Sequence, residues 1–226
     1  MFRKNIIGLA ALVALALSAF AASIANATET APVWSVTKSG VLTELAAGVS
    51  EEVTEATKVT ENFVLKQTEL AGITIECTVV KLKTAKITGT KGGSGGGITF
   101  EGCKATAPAA DVKCEVGSKG VLTTVPVSAE LLGTAKEPKV KFFPTTGTQF
   151  IEVKLTEVGG EKCTGAGLYK VTGSATGNGD NGTAAKEHAI KFTSTSGSAL
   201  VFGGAKAVLT GTGGVTLKSG NAFGAM

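Results

Sequence analysis

Four cysteines constrain this chain more than any other feature, because three of them lie in one stretch of alternating apolar and polar residues. Cys77 belongs to Ile73-Thr-Ile75-Glu-Cys77-Thr-Val79, Cys103 closes Ile98-Thr-Phe100-Glu-Gly102-Cys103, and Cys114 sits within Val112-Lys-Cys114-Glu-Val116. Such alternation is the period-2 mark of a half-buried strand, and cysteines in phase with the apolar face point inward, where they can be bridged. The inward set of the first run is Ile73, Ile75, Cys77 and Val79. The pattern then shifts phase to Val80 and Leu82, which predicts a bulge or bend near Val79–Val80. With Cys163 the four thiols allow three pairings, and the sequence does not choose among them. The expected pairs are Cys77–Cys103, which would staple neighbouring strands across one connection, and Cys114–Cys163. No two cysteines form a CxxC, and His188, the one histidine, is not at zinc-ligand spacing from any of them. Structural staples are therefore expected rather than a metal or redox centre, and no metal is assigned.

Two disulfides need an oxidising compartment, and the first residues supply the address. Arg3 and Lys4 form a short basic segment, Ile6 to Ala22 a mostly apolar one, and Ala25-Asn-Ala27 a small-x-small cleavage site. Residues 1–27 read as a signal peptide, with a secreted all-β domain over 28–226. No later apolar run is long enough to span a bilayer, so no membrane span is expected after cleavage. Loss of Arg3 and Lys4 takes the net charge from +4 to +2, and Arg3 is the only arginine. Lysine alone lacks the planar fork that grips phosphates and guanine edges, which excludes nucleic acid as a partner.

The remaining runs are short and extended. Ser50 to Glu61 could open with a helix over Glu51–Ala56, but Thr54, Thr57, Val59 and Thr60 favour extended chain. Lys91 to Gly97, nearly all glycine, reads as a mobile hairpin loop. Pro126 suits an edge strand or a strand start. Ile151-Glu-Val153-Lys-Leu155 is the cleanest alternation, with Glu152, Lys154 and Thr156 on the wet side. Gly177 to Gly182 reads as a tight polar turn. Ile190–Phe192, Leu200–Phe202, Ala207–Leu209 and Val215–Leu217 read as separate short runs, and Asn221 to Met226 as a loosely held end. Strands spaced by roughly 8–12 residues with turn signals between them specify an all-β, antiparallel β-sandwich, with a β-barrel as the alternative. A subdomain break, if there is one, falls near residues 133–139.

Several motifs match catalytic or binding patterns by letter only. Gly92-Gly-Ser94-Gly-Gly96, with Asp111 or Asp180 and then His188, follows hydrolase order, but a nucleophile elbow needs a strand, a strained turn and a helix. Gly177-Asn-Gly-Asp-Asn-Gly182 spells a dinucleotide fingerprint without the helix that must follow it, and Asn-Gly is ordinary turn chemistry. Asp180 with Asn178 and Asn181 makes a weak calcium candidate, with one carboxylate where tight sites use several. Trp34 and Tyr169 are candidate binding aromatics for a stacking platform, in a chain otherwise poor in exposed-type aromatics. No catalytic residue is assigned, and no cofactor.

In their order, Trp34-Ser-Val36, Ile75-Glu-Cys77, Thr99-Phe100-Glu-Gly102-Cys103, Lys113-Cys114, Gly120-Val-Leu122-Thr-Thr, Lys162-Cys163-Thr-Gly-Ala-Gly, Val171-Thr-Gly173 and Leu217-Lys-Ser-Gly220 resemble a group of exported, cysteine-containing, β-rich proteins of soil actinobacteria. The likeness covers most of the chain after residue 28. It implies export and a cysteine-stapled β-fold, and it carries over no catalytic or binding residue. A looser likeness, in the cysteine and glycine-threonine pattern, is to secreted activator-of-alkane-oxidation proteins.

One histidine, two aspartates and no arginine after residue 28 make the expected function non-catalytic: a secreted, extracellular or cell-wall associated structural or binding module. A cell-wall polymer or another surface protein is the partner class that fits. The alternatives are a hydrolase of an extracellular polymer and, if the sheets enclose a hollow interior, a carrier of a small apolar ligand.

Overall fold

The computed structural model describes residues 31–56, 61–69, 72–89, 91–108, 113–160, 162–180 and 182–226. The expected signal peptide over 1–27 lies outside them, as do Asp111 and Asn181. The described chain is all-β, and every pairing between its strands is antiparallel. The first half carries β1 (Trp34–Lys38), β2 (Val41–Glu44), β3 (Ser50–Glu55), β4 (Glu61–Gln67), β5 (Thr74–Cys77), β6 (Val79–Lys83), β7 (Ala85–Thr88), β8 (Gly92–Gly95), β9 (Gly97–Glu101) and β10 (Lys104–Ala107). The second carries β11 (Glu115–Val116), β12 (Leu122–Thr123), β13 (Val127–Gly133), β14 (Pro138–Pro144), β15 (Gln149–Thr156), β16 (Gly167–Gly179), β17 (Glu187–Phe192), β18 (Ala199–Phe202), β19 (Ala205–Leu217) and β20 (Phe223–Ala225). Among the described residues there is no helix, hence none long and apolar enough to cross a membrane.

Pairing follows the apolar pattern where it is cleanest. In β15 Ile151, Val153 and Leu155 are buried, Glu152 and Lys154 exposed, as period-2 alternation requires. The largest sheet has 14 strands, and its ladders return on themselves. One circuit runs β14, β13, β8, β7, β3, β19, β17, β16 and back to β14. A second runs β19, β4, β5, β10, β11, β15, β16, β18 and back to β19. The two share β16 and β19, each 13 residues long. Each circuit surrounds its own core. The first holds Ile87, Leu131, Val140 and Leu217 with Trp34, Val36 and Phe223 from the small sheet β2-β1-β20. The second holds Ile75, Val153, Leu155, Val171 and Phe202.

Both expected disulfides are present, Cys77–Cys103 and Cys114–Cys163, and no cysteine is free. The expected bend falls at Thr78, where the chain leaves β5 in the large sheet for β6 in a separate sheet, β12-β9-β6. Beyond that bend Val79 is exposed rather than inward. Ser50–Glu55 is extended, in line with Thr54, and Thr57, Val59 and Thr60 lie outside the described residues.

Three glycine-rich stretches depart from expectation, for one reason. Lys91–Gly97 is not a mobile loop: β8 pairs with both β7 and β13, and Gly93 lies so close to Ala129 and to the Lys86 carbonyl that a Cβ would stand 3.1 Å from each. Gly177–Gly179 continues β16 instead of turning, because Ile190 and Phe192 occupy the space a side chain would need. The last two expected runs fuse into the single strand β19 through Gly211, Gly213 and Gly214. Phe63 lies flat against that glycine segment: its ring would be 3.2 Å from a Cβ on Gly213. Glycine here makes room for neighbouring chains and rings, a use that composition does not distinguish from flexibility.

The C-terminus is likewise not loose. Phe223 and Ala225 are buried in β20, which pairs with β1 at Trp34↔Ala225. Residues 133–139 carry the turn of the β13–β14 hairpin within one compact unit, Ala31–Met226, so no subdomain break lies there.

At the surface, Lys218 donates to Glu52 at 2.9 Å across the β19–β3 junction. That hydrogen bond, then the charge of Lys218, with Lys86 adding a little, holds the Glu52 carboxyl below the usual carboxylate range; the same pair holds the Lys218 ammonium above the usual lysine range. The contribution is therefore lost as pH falls through the Glu52 titration and again as pH rises through that of Lys218. Both groups are solvated, so Glu52→Gln is expected to leave Tm unchanged within error. An NMR titration of Glu52 that returned an ordinary glutamate value would contradict the pairing.

Candidate functional site: an apolar cavity

The first circuit is not fully packed. It surrounds a cavity of about 130 Å³ whose lining is almost wholly apolar. The lining reads directly from the strand pattern. Val127 and Ala129 from β13, Val140 and Phe142 from β14, and Ile190 and Phe192 from β17 are successive inward positions of neighbouring strands. Beside them Gly93 and Gly95, paired with Ala129 and Val127, and Gly213, paired with Ile190, present backbone to the cavity, as do Gly97 and Gly214. Trp34 and Phe223, from the small sheet, also line it, their ring centroids 6.5 Å apart. Six of the eight phenylalanines after residue 28 contribute to the lining. The charged residues at its margin are Glu55 and Lys86, and Glu55 is engaged: its Oε2 accepts the Leu82 amide at 3.2 Å.

A second void of about 50 Å³ lies in the other circuit. Phe63, Phe100, Phe150, Ala175 and Leu209 line both. The partition between the voids is thus mainly aromatic: Phe63 meets Phe100 edge-on at 5.8 Å and Phe192 at 5.8 Å.

The candidate residues read from sequence fall elsewhere. Trp34 is buried in β1 and does not present an exposed face. Tyr169, on β16, is half-buried, packs on Phe202 and donates its hydroxyl to the Gly165 carbonyl at 2.9 Å. The two aromatics belong to different sheets and make no stacking platform. Of the calcium candidates, Asn181 lies outside the described residues. Asp180 accepts from His188 through Oδ1 and from the Ala189 amide through Oδ2, so both its oxygens are engaged. Asn178 belongs to β16, its Oδ1 buried without a partner. Among the described residues no three His, Cys, Asp or Glu groups come together as metal ligands.

Ser94 lies mid-strand in β8, in register with Lys86 and Ser128, and no elbow forms. Asp180 and His188, which hydrolase order had placed together, do meet, at 2.6 Å. The second ring nitrogen of His188 lies 2.6 Å from the Phe223 carbonyl oxygen. With both nitrogens engaged, His188 has none left to take a proton from a serine.

A hollow interior stood among the alternatives read from sequence, but its place and lining did not, because a hollow is a property of paired faces. Its one trace was the combination of many phenylalanines with strands in which glycine occupies alternating places. No protein family, no curated protein and no solved structure matches this chain.

Proposed function

We propose that the chain is an exported, non-catalytic protein that holds a small, uncharged, apolar molecule in the cavity between β13, β14, β17 and the glycine strand β8. The cavity carries this reading. Apolar voids near 150 Å³ stay dry and accept ligands the size of benzene, and 130 Å³ is of that order. A charged ligand would be left without partners in such a lining, at a cost of several kcal/mol or more. Export is supported by two disulfides, which persist in oxidising surroundings, and fits residence in the medium or at a cell wall. The lack of a catalytic role is supported by the engagement of both His188 nitrogens and the strand geometry of Ser94.

Calorimetry with benzene is the direct test. A dissociation constant on the order of 1 mM is expected for a ligand of this size. Ala175→Leu and, separately, Val80→Phe push extra carbons into the void, and each is expected to weaken binding at least about tenfold in a protein that keeps its β-sheet circular dichroism. Benzene heat that is absent from the wild type, or unchanged in both folded variants, would remove the reading.

A further inference from the structure

The ring of His188 sits where protons can be counted. It is buried on β17, between Asp180 beyond the end of β16 and Phe223 of the C-terminal strand. Nδ1 is 2.6 Å from Asp180 Oδ1, and Nε2 is 2.6 Å from the backbone carbonyl oxygen of Phe223. A carbonyl oxygen only accepts, so Nε2 carries a hydrogen. A carboxylate also only accepts, so a second hydrogen lies between Nδ1 and Oδ1, whichever atom formally owns it. With both contacts made as hydrogen bonds, the pair holds one proton more than a neutral imidazole beside an ionised carboxylate. From β19 the ring is faced by Val215 and from β20 by the Phe223 ring, 4.6 Å away and edge-on. On its own segment Lys186 and Glu187 are exposed, and Glu187 points to the opposite face. Asp180 is thus the charged group that sets the ring's state.

When that extra proton leaves, one hydrogen remains for two acceptors. It stays with the charged carboxylate, because such a bond is roughly twice as strong as one to a neutral carbonyl. Nε2 then turns a lone pair toward the Phe223 oxygen, and the 2.6 Å contact must open. The carbonyl keeps its other donor, the Ala185 amide at 2.9 Å, and β20 keeps its ladder to β1, so the movement is a local shift of Phe223 rather than loss of the strand. Phe223 and Trp34 form part of the cavity wall.

We propose that the His188–Asp180 pair is a proton-dependent latch on the Phe223–Trp34 part of the cavity wall, which retains an apolar ligand in mildly acidic surroundings and loosens its hold as the pH rises. The proposal rests on the reading of that cavity as a ligand site. The sign follows from proton count: the latch is closed in the form with more protons, so its contribution is present at lower pH and lost on raising it.

The test uses the full disulfide-bonded protein, benzene as the probe, and about pH 5 against about pH 9, on either side of the ordinary histidine range. Wild-type affinity is expected to fall about tenfold at the higher pH, the weight of one good hydrogen bond. Asp180→Asn should abolish this dependence. Its amide N–H can donate to Nδ1 and its oxygen can accept from Ala189, so a neutral ring keeps its Nε2 hydrogen on Phe223 at both pH values. The ¹⁵N signals of the His188 ring, with amide exchange at Phe223 corrected for intrinsic rate, follow the latch without ligand. Benzene binding that is flat with pH in the wild type, or equally steep in D180N, overturns the latch. If benzene binds at neither pH, the carrier reading fails. The latch is then decided by the ring: an Nε2 hydrogen retained at the higher pH overturns it, and its loss with faster exchange at Phe223 upholds it.

Discussion

Replacing Cys114 and Cys163 together by alanine is expected to cost about 4 kcal/mol of unfolding free energy, and replacing Cys77 and Cys103 together about 3.5 kcal/mol. The bridges span 49 and 26 residues, and loop-closure entropy grows only with the logarithm of that span, so the two values lie close together. Their places in the fold differ more than their energies. The second circuit is joined through β11 by one register pair to β10 and two to β15, the thinnest ladder in the ring. Cys114 directly precedes that short strand, so its bridge to Cys163 reinforces the weakest step, and without it Val116 and Leu155 are the buried residues first exposed. Cys77–Cys103 pins the place where the chain passes between sheets, from β5 into β6 and from β9 into β10. Domains of this kind are stable by only about 5–15 kcal/mol, so each loss is a large fraction of the whole. Urea unfolding of each double variant measures it. Removal of Cys114–Cys163 should also raise amide exchange in β11 and β15 before that in β13 and β14. A loss below about 1 kcal/mol in either variant, or uniform exchange in the first, would show that the ladders hold without their staples.

What could be read from the residues alone divides along a physical line. Alternation acts locally, and it was sufficient for the all-β class, for β15 residue by residue and for a bend beside Val79, found at Thr78; both expected bridges formed, although alternation leaves the pairing of four cysteines open. Glycine was misjudged at Gly93, Gly177 and Gly213, because its meaning depends on what approaches it from another strand. Ala129, Ile190 and Phe63 are the approaching groups, 36, 13 and 150 positions along the chain from those glycines. Phe223 was misjudged for a related reason: a short apolar end is loose until a distant edge, here β1, accepts it. The site was least accessible of all. Asp180 and His188 were singled out for chemistry that the structure does not support. Their contact is made by the pairing of β16 with β17, and the Phe223 carbonyl that completes it comes from β20, which bridges to Ala185 just ahead of β17. Trp34, a candidate for a stacking platform, is instead part of the cavity wall.

Gly173→Ala is expected to destabilise the protein by about 4 kcal/mol and to lower Tm by roughly 10 °C, whereas Gly147→Ala should cost about 1 kcal/mol and a few degrees. Gly173 lies mid-way along β16, where the strand changes partners: Thr172 pairs with Gln149 of β15 and Ala175 with Phe142 of β14. Passing from one circuit to the other requires a sharp local turn of the backbone, and Gly173 takes it with φ +106°, a value L-residues rarely adopt. A Cβ there would also land on the carbonyl oxygen of Ala199, in the strand that flanks β16 on the second circuit. Strain at such a φ is worth about 1–3 kcal/mol and overpacking against rigid backbone a similar amount, and neither is relieved by moving a side chain. Gly147 is the control because it shares only the first term: its φ is +68° and nothing lies within 4 Å of the added carbon. Thermal unfolding of the two variants separates the terms. Equal, modest drops in Tm would mean that β16 can cross between the circuits without the close approach to Ala199, and that the shared strand is not the rigid axis on which both cores depend.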